Sequence, residues 1–183
     1  MRSLKGNQFV RDEAASSMVA RRLRERRESF IEDFLGKNAV LIPVPRSGLL
    51  RRGNLWPAFE IAKSLRVESL GGGLMPCLKR ISAVAKAATS RSEDRPKART
   101  HLDSLELTEP LSLPPEVTLI DDVVTRGAQL FGAAWKIWTV RPDVVVRAFA
   151  VIRPISAPED FSTIAAPTTG RIEWRSEECR RQP

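Results

Sequence analysis

The sequence predicts a single α/β domain built on a parallel sheet. Short runs of strand-forming residues alternate with segments whose apolar residues recur at helical spacing, which is typical of parallel sheets flanked by helices. A length of 183 residues fits one domain with a sizeable core. An apolar content of 42% and a charged content of 28% are typical of folded globular chains.

The first predicted element is an amphipathic helix from about Phe9 to Leu35. Gly36 would end this helix as a C-cap. We expect residues 1–36 to form a basic helix that packs on the main domain, which residues 37–183 would form. The apolar face recurs at three-, four- and seven-residue spacings, with arginines largely between its members: Val19, Leu23, Phe30, Ile31, Phe34 and Leu35.

A strand and a helix are predicted next. "AVLIPV" (39–44) has the composition of a short buried strand. "NLWPAFEIAKSL" (54–65) predicts a helix with Pro57 in its first turn, where proline is tolerated. Glycines 71–73 would end this unit. The apolar face of the helix would consist of Leu55, Phe59, Ala62 and Leu65.

The second half of the chain continues the alternation. "LMPCLKRI" (74–81) predicts a strand, and residues 82–105 predict a long exposed loop because they lack periodicity and are rich in Ser, Thr, Arg and Lys. Strand character returns in "VTLI" (117–120), a helical stripe follows from 130 to 138, and "DVVVRAFAVI" (143–152) predicts another strand. The last thirty residues predict a short appended strand and a tail.

Several classes of protein are disfavoured by the sequence. No run approaches the roughly 18 uninterrupted apolar residues of a membrane span, and no apolar segment of a secretory signal follows the N-terminus. Cys77 and Cys179 lie far apart, outside any C-x-x-C or Cys/His cluster, which argues against a disulfide framework and a structural zinc site. We therefore expect a protein of the reducing cytoplasm with no membrane partner.

The net charge of +8 is unevenly distributed along the chain. Residues 1–27 hold eight Lys or Arg against three acids, and residues 79–101 hold seven against two. Residues 102–170 hold five against nine. Basic patches attract phosphates, either on a small anionic substrate or on nucleic acid. For the N-terminal patch, a solvated helix face is the simpler interpretation.

Two loops follow predicted strands and contain polar residues that suit a phosphorylated sugar. They are "PVPRSG" (43–48) and "DDVVTRG" (121–127), and in an open parallel sheet ligands bind at such positions. Asp121 and Asp122 can accept hydrogen bonds from vicinal hydroxyls, while the turn through 125–127 offers amides, a hydroxyl and a guanidinium to a phosphate. The second loop therefore matches a ribose 5-phosphate. The alternative for the acid pair alone is a cap on the following helix.

These residues carry a resemblance to a known family. "VTLIDDVVTRGAQL" (117–130) resembles the phosphoribosyl pyrophosphate (PRPP) signature of type I phosphoribosyltransferases. "LIPVPRSGLLRRGNLWPAFEIAKSL" (41–65) is similar to the ComF-like branch of that superfamily, and "SRSEDRPKAR" (90–99) lies where such proteins carry a basic flexible loop. The resemblance covers roughly residues 38–152. It implies a type I phosphoribosyltransferase-like parallel sheet with a small hood.

The resemblance also implies roles for individual residues. Asp121 and Asp122 would bind the 2- and 3-hydroxyls of the ribose. Arg46, Ser47 and Gly48 would form the pyrophosphate loop, in which the superfamily often uses an unusual peptide geometry to direct amides at the leaving group. The 5-phosphate would be held by the segment Val124, Thr125, Arg126, Gly127, Ala128 and Gln129.

A metal ion and a closing loop complete the implied site. Mg²⁺ would bridge PRPP oxygens and be held mostly by the ligand and water, as suits a hard cation that keeps its hydration. Arg95 and Lys97, joined by Arg91 or Arg99, would close over the ligand. Lys97 and Arg46 would act with the acid pair in catalysis.

The implied activity is transfer of phosphoribose from PRPP to a nitrogen nucleophile, with a nucleobase as the expected acceptor. The reaction passes through an oxocarbenium-like state, so the protein must stabilise charge on departing pyrophosphate and exclude water. No nucleophilic side chain is required, because the acceptor nitrogen attacks. Acceptor choice would come from a hood built by residues 74–90 and 153–175.

The sequence departs from the family pattern at three points. Gln129 stands where many relatives have Ser or Thr, Ala98 lies near an expected arginine–asparagine pattern, and no cysteine-rich zinc module precedes the domain. The alternative function is therefore a non-catalytic PRPP sensor or accessory protein. It would bind nucleic acid weakly through Arg21–Arg27, in DNA uptake or antiviral defence, with a second copy or another protein as partner.

The remaining candidate residues are a single histidine and four tryptophans. His101 is the sole histidine, and without an identified carboxylate partner we interpret it as structural. Trp135 and Trp138 lie at helical spacing and are predicted to be core residues. Trp56 and Trp174 are the candidates for stacking on a flat base.

Overall fold

The computed structural model describes residues 2–10, 13–26, 28–85, 95–108, 113–154, 167–176 and 178–182. In chain order the helices and strands are α1 (Arg2–Lys5), β1 (Phe9–Val10), β2 (Glu13–Ala14), α2 (Ala15–Arg26), α3 (Ser29–Leu35), β3 (Val40–Pro43), α4 (Pro57–Val67), β4 (Gly73–Leu74), β5 (Leu78–Arg80), α5 (Ala98–Asp103), β6 (Leu105–Leu107), β7 (Glu116–Val123), α6 (Ala128–Trp138), β8 (Val145–Ile152), β9 (Arg171–Arg175) and β10 (Glu178–Gln182).

A parallel sheet of four strands in the order β4-β3-β7-β8 forms the centre of the molecule. The chain runs from β3 outward to β4, then returns across β3 to add β7 and β8 on the other side. The direction of winding therefore reverses between β3 and β7. Such a reversal opens a crevice beyond the carboxyl ends of the two strands, where ligands of open α/β sheets bind. The predicted α/β class with a parallel sheet flanked by helices is confirmed.

Both faces of this sheet are buried, as the apolar strand sequences require. Leu119 of β7 faces a cluster that includes residues of α6, whereas Ile120 faces a second cluster that includes residues of α2, α3 and α4. Side chains alternate along a strand, so the next two residues, Asp121 and Asp122, point toward opposite faces. The acid pair therefore straddles the end of the sheet.

Five predicted elements occur close to their expected positions. These are β3, α4, β7, α6 and β8. Pro57 occupies the first turn of α4, where its missing amide hydrogen costs nothing. β7 runs three residues beyond the predicted 117–120 segment, which places Asp121 and Asp122 within the strand.

The prediction of one helix from Phe9 to Leu35 is wrong. The segment forms the short β1–β2 ribbon and then two helices, α2 and α3, which Glu28 separates in an extended conformation. A single helix of that length would extend about 40 Å and could not follow a small domain. Two helices place Ala20 and Leu35 in the same buried cluster. The division at residues 36 and 37 stays a prediction.

The region 74–105 also differs from the prediction. Within 74–81, Leu74 ends the two-residue strand β4, and a separate strand, β5, pairs antiparallel with β6 outside the parallel sheet. The predicted exposed loop contains the six-residue helix α5, and residues 86–94 lie outside the described part of the chain. α5 packs closely on α6, since a Cβ added to Gly132 would lie 2.6 Å from the His101 Cβ.

The C-terminal residues form a two-stranded antiparallel hairpin, β9–β10, where one strand and a tail were predicted. Trp174 of this hairpin lies against Trp135, with ring centroids 4.8 Å apart. Trp135 is half-buried under this contact, and Trp138 packs against the core. Both cysteines are buried, and they form no disulfide with each other. None of the described helices combines the length and apolarity needed to cross a membrane.

Candidate functional site

A cavity of about 500 Å³ lies beyond the carboxyl ends of β3 and β7, at the winding reversal. Its volume is that of a small-molecule site. All residues from 121 to 130 line it, together with Val44, Arg46 and Ser47 from the loop after β3. Residues 55–58 at the start of α4 form a further part of the wall. The two loops selected from the sequence therefore meet at one cavity.

The acid pair has one buried and one half-buried member. Asp121 is 5% exposed, and its Oδ1 accepts a hydrogen bond from the Asp122 amide at 2.9 Å. Its Oδ2 accepts from Gln129 Nε2 at 3.3 Å. Burial, and then the Asp122 carboxylate, raise the pKa of Asp121 well above its usual value. Both aspartates line the cavity, so neither is enclosed in the hydrophobic core away from a ligand.

The turn between β7 and α6 is built on Gly127. This glycine has a φ of +89°, in the left-handed region, and occupies the N-cap position of α6 without a side-chain cap. The first amides of α6 thus lack a side-chain acceptor, and they lie at the cavity with the positive end of the helix dipole. Thr125 and Arg126 are exposed at the same turn. The segment from Val124 to Gln129 forms a continuous part of the cavity wall and offers donor groups of the kind that bind anions.

The loop after β3 presents Arg46 and Ser47 to the cavity, while Gly48 lies outside the wall. Arg46 Nη1 donates to the Leu55 carbonyl at 3.3 Å, so this guanidinium is partly engaged by its own loop. The Ser47 carbonyl accepts from the Val84 amide at 2.8 Å. The described residues contain no cis peptide bond.

Of the basic residues predicted for the closing loop, two line the cavity and one other described residue does not. Arg95 and Lys97 line the cavity, at the point where the chain enters α5. Arg99 does not, because it pairs with Asp103 at 3.2 Å and lies over the Trp135 ring at 5.6 Å. Arg91 lies outside the described residues.

Three further wall residues were missed or given little weight by sequence reasoning. Lys5 reaches the cavity from α1 and acts electrostatically on Asp121, although the two are 116 positions apart in the sequence. Cys179 contributes from β10, and burial raises the pKa of its thiol to about 11, so it is an unreactive thiol. His101 contributes from α5, and burial followed by the charge of Arg80 lowers its pKa to about 4.

His101 is thus neutral at physiological pH, and the structure places it on the cavity wall at 4% exposure. Its Nδ1 atom is buried without a hydrogen-bond partner within the described chain, and the same holds for Nε of Arg95. Buried polar atoms normally have partners, because an unmade hydrogen bond costs free energy. Both of these atoms belong to residues of one cavity, which favours a site that a polar ligand completes.

The aromatic candidates are likewise divided. Trp56 lines the cavity and is held by a hydrogen bond from its Nε1 to the Val44 carbonyl at 2.8 Å. It stacks on Phe59, with centroids 5.5 Å apart. Trp174 lies in the cluster around Trp135 and does not reach the cavity wall. Of the two stacking candidates, only Trp56 remains.

The charge of the cavity wall favours an anion. Three carboxylates face an excess of cationic side chains, and the cations come from five separate positions along the chain: Lys5, Arg46, Arg95, Lys97 and Arg126. Within the described ranges no group of three or more His, Cys, Asp and Glu is arranged to hold a metal ion. The carboxylates of Asp121 and Asp122 are hard oxygen donors that suit Mg²⁺ shared with ligand oxygens.

The arginines proposed for nucleic acid are partly engaged within the protein. Arg21 pairs with Glu13 at 3.0 Å and with Glu25 at 2.9 Å. Arg24 donates to the Glu68 carbonyl at 2.6 Å. These contacts fit the simpler interpretation of a solvated helix face.

No protein-family model matches this chain, and no curated protein matches it. The functional interpretation therefore depends on the cavity and on the sequence motif at residues 117–130.

Proposed function

We propose that this protein is a phosphoribosyltransferase of the type I, ComF-like kind, which binds PRPP with Mg²⁺ and transfers phosphoribose to a nitrogen nucleophile. The proposal depends mainly on one observation. A cavity at the winding reversal of a parallel sheet joins a carboxylate pair and a glycine-capped helix N-terminus on one side to a basic loop on the other. PRPP carries the matching groups, a diol between a phosphate and a diphosphate.

The acid pair would bind the ribose diol. Carboxylate oxygens accept hydrogen bonds from hydroxyls, and two adjacent carboxylates match two vicinal hydroxyls. The Asp121 carboxyl is held in place by Gln129 and by the Asp122 amide, so it is oriented before ligand binds. The 5-phosphate would then lie against the turn at Gly127, where amides, Thr125 and Arg126 can donate to it.

Basic residues would bind the pyrophosphate group. Arg46, Arg95 and Lys97 line the same cavity. Their positive charge would stabilise the negative charge that develops on the leaving group. As the C1–oxygen bond breaks, its electron pair leaves with pyrophosphate and the acceptor nitrogen forms its bond to C1. The proton of that nitrogen then passes to the released pyrophosphate or to water. The role of the protein is to orient the two reactants and to keep water away from C1.

Mg²⁺, when bound with PRPP, supplies charge neutralisation at the phosphate oxygens. Asp121 and Asp122 are the described residues whose oxygens would hold it, with the remaining positions taken by ligand and water. Trp56 would bound the cavity beside them with a flat ring. A nucleobase acceptor presents a flat face of the kind that stacks on such a ring.

The hood would differ from the two segments expected from the resemblance. Of the described residues in 74–90 and 153–175, only Ala85 and Pro154 reach the cavity. Lys5 from the N-terminus and residues 178–179 of the C-terminal hairpin also line it. The acceptor would therefore be selected in part by both chain ends.

The experiment is calorimetric titration of the full chain with PRPP and Mg²⁺, followed by measurement of pyrophosphate release with a panel of nucleobases. We expect saturable binding that the double substitution Asp121→Asn/Asp122→Asn abolishes while the fold, followed by circular dichroism, persists. As a matched control, Asp103→Asn/Asp143→Asn changes two exposed aspartates away from the cavity wall and should bind PRPP normally.

The outcomes separate three conclusions. Binding with pyrophosphate release supports the transferase. Binding without release for any acceptor identifies a PRPP sensor. No binding of PRPP by the folded wild-type protein contradicts the proposed site itself.

A further inference from the structure

Arg80 lies buried behind the loop that follows β3. Its side chain is at the end of β5, and the residue is 4% exposed. Nε donates to the Arg46 carbonyl at 3.0 Å, and Nη2 donates to the Pro45 carbonyl at 3.1 Å. Nη1 donates to the Ser104 hydroxyl. Burial lowers the pKa of Arg80 to about 10, which leaves it cationic at neutral pH.

The two carbonyl contacts determine which way two peptide groups face. In a planar trans peptide the C=O and the N–H point in opposite directions. The Pro45 carbonyl shares its peptide with the Arg46 amide, and the Arg46 carbonyl shares its peptide with the Ser47 amide. Since both carbonyls point at Arg80, both amides point away from it.

The loop whose carbonyls accept from Arg80 forms part of the cavity wall. Arg46 and Ser47 line the cavity, whereas Arg80 does not. Neither the Arg46 amide nor the Ser47 amide donates to a main-chain carbonyl within the described residues. Two successive amides of a loop that lines a cavity, both directed away from the same guanidinium, can form a concave donor site for an anion.

We propose that Arg80 is a positioning residue that orients the Arg46 and Ser47 amides toward the diphosphate group of the ligand. This inference rests on the proposed function and deepens it, because it names the group that builds the diphosphate subsite. Arg80 does not touch the ligand. It acts through the loop, which the Val84 amide holds from the same part of the chain by its contact with Ser47.

Arg80 also connects this subsite to the basic residues that precede α5. Its partner Ser104 follows α5 directly, and the Ser104 hydroxyl donates to the His101 carbonyl at 2.8 Å. Arg95 and Lys97 lie just before the same helix and line the cavity. The loop amides and these two cations are therefore positioned relative to a single guanidinium.

The test compares binding of two ligands that use different parts of the cavity. Calorimetry would measure affinity for pyrophosphate with Mg²⁺ and for ribose 5-phosphate, in wild type, Arg80→Met and Arg80→Lys. We expect both variants to bind pyrophosphate at least about tenfold more weakly, as loss of ordered charge-assisted contacts implies. Ribose 5-phosphate affinity should stay within about twofold, because the turn at Gly127 is unchanged.

A matched control removes an arginine elsewhere. Arg147→Met also removes one positive charge and one polar contact, to Glu116 at 2.8 Å near the amino end of β7, and should leave both affinities unchanged. Equal loss for both ligands in the Arg80 variants would indicate a purely structural role and overturn the inference, as would no loss for either. Wild-type protein that binds ribose 5-phosphate but not pyrophosphate overturns the inference alone. Wild-type protein that binds neither contradicts the proposed function.

A second measurement needs no variant and so does not depend on variant folding. In ¹H–¹⁵N spectra of the wild-type protein, the Arg46 and Ser47 amide resonances should shift on addition of pyrophosphate with Mg²⁺. Ribose 5-phosphate alone should shift the Gly127 and Ala128 amides instead. If pyrophosphate binds and leaves the Arg46 and Ser47 resonances in place, the inference is wrong.

Discussion

The side-chain amide of Gln129 donates to Asp121 Oδ2 at 3.3 Å, and it also lies 3.5 Å from the Pro45 carbonyl. Gln129 thereby joins the acid pair at the end of β7 to the loop after β3. At the sequence level this residue was a departure, because a hydroxyl was expected there for the phosphate. Its position gives it a different role, which is to hold the Asp121 carboxyl in place across the winding reversal.

This contact predicts the effect of Gln129→Met, a substitution of similar size that removes the donor. We expect PRPP affinity to fall about tenfold, because a hydrogen bond to a carboxylate contributes about 1.5–3 kcal/mol. Stability should fall by about 1 kcal/mol, measured by urea unfolding. The control is Gln182→Met, which removes an exposed glutamine bonded to Glu173 at 3.2 Å. Unchanged PRPP affinity in Gln129→Met would contradict the role assigned to this residue.

The buried Asp121 carboxyl predicts opposite effects on stability and on binding. Burial raises its pKa, so the ionised form destabilises the fold once the pH exceeds the ordinary value of 3.8. Asp121→Asn should therefore be more stable than wild type at pH 7 and should lose that advantage as the pH falls toward 4. The same variant should bind PRPP at least about tenfold more weakly.

The measurement for Asp121 is urea unfolding of wild type and variant across that pH range. Asp122→Asn is the matched control, because Asp122 is half-buried and its neutralisation should change stability less. An Asp121→Asn variant that is less stable than wild type at pH 7, with a difference independent of pH, would refute the prediction.

The elements and residues predicted from sequence are those that carry a local signal. β3, β7 and α6 were found because apolar runs, periodicity and Gly127 mark them. The motif at 121–127 was found for the same reason, since its residues are neighbours in sequence and remain neighbours at the cavity. Sequence alone was therefore sufficient for the centre of the sheet and for one wall of the cavity.

The opposite wall depends on contacts between distant parts of the chain. Arg80 lies in a three-residue strand and His101 in a six-residue helix, and neither segment is long enough to show a period. Lys5 reaches the cavity from the N-terminus through packing of the first helices. The helix predicted over 9–35 failed because tertiary packing broke a pattern that was locally continuous.

At Gly127, a single added methyl group should strongly reduce the stability of the fold. A Cβ at this position would lie 2.8 Å from the Ile172 side chain and would be held at a φ of +89°. We expect Gly127→Ala to destabilise the fold by at least about 2 kcal/mol and to weaken binding of ribose 5-phosphate, since the N-terminus of α6 must shift. Thermal unfolding and calorimetry measure the two effects.

The control variant Gly53→Ala measures the cost of backbone strain without a steric clash. Gly53 has a similar φ of +82°, but an added Cβ would meet no atom within 4 Å. Its loss should be about 1 kcal/mol, from backbone strain alone, with ribose 5-phosphate affinity unchanged. Equal losses of stability in the two variants would show that the contact with Ile172 has no energetic consequence.

Because of His101, the stability of the fold should decrease at acid pH. Its pKa is about 4 in the folded protein against the ordinary 6.5, because burial and the charge of Arg80 disfavour the imidazolium. The unfolded chain takes up this proton first, so stability should fall as the pH drops from about 6.5 toward 4, by up to roughly 3 kcal/mol. The effect of Asp121 on stability has the opposite pH dependence, because its pKa is raised in the fold.

The quantity to measure is therefore the difference in unfolding free energy between wild type and His101→Gln at each pH. As the pH falls through this window, wild type should lose stability relative to the variant. The contribution of Asp121 should cancel from the difference, because both proteins retain its carboxyl. Parallel curves from pH 7 to pH 4 would mean that His101 is already accessible to protons in the fold, and that the cavity wall is more hydrated than its burial indicates.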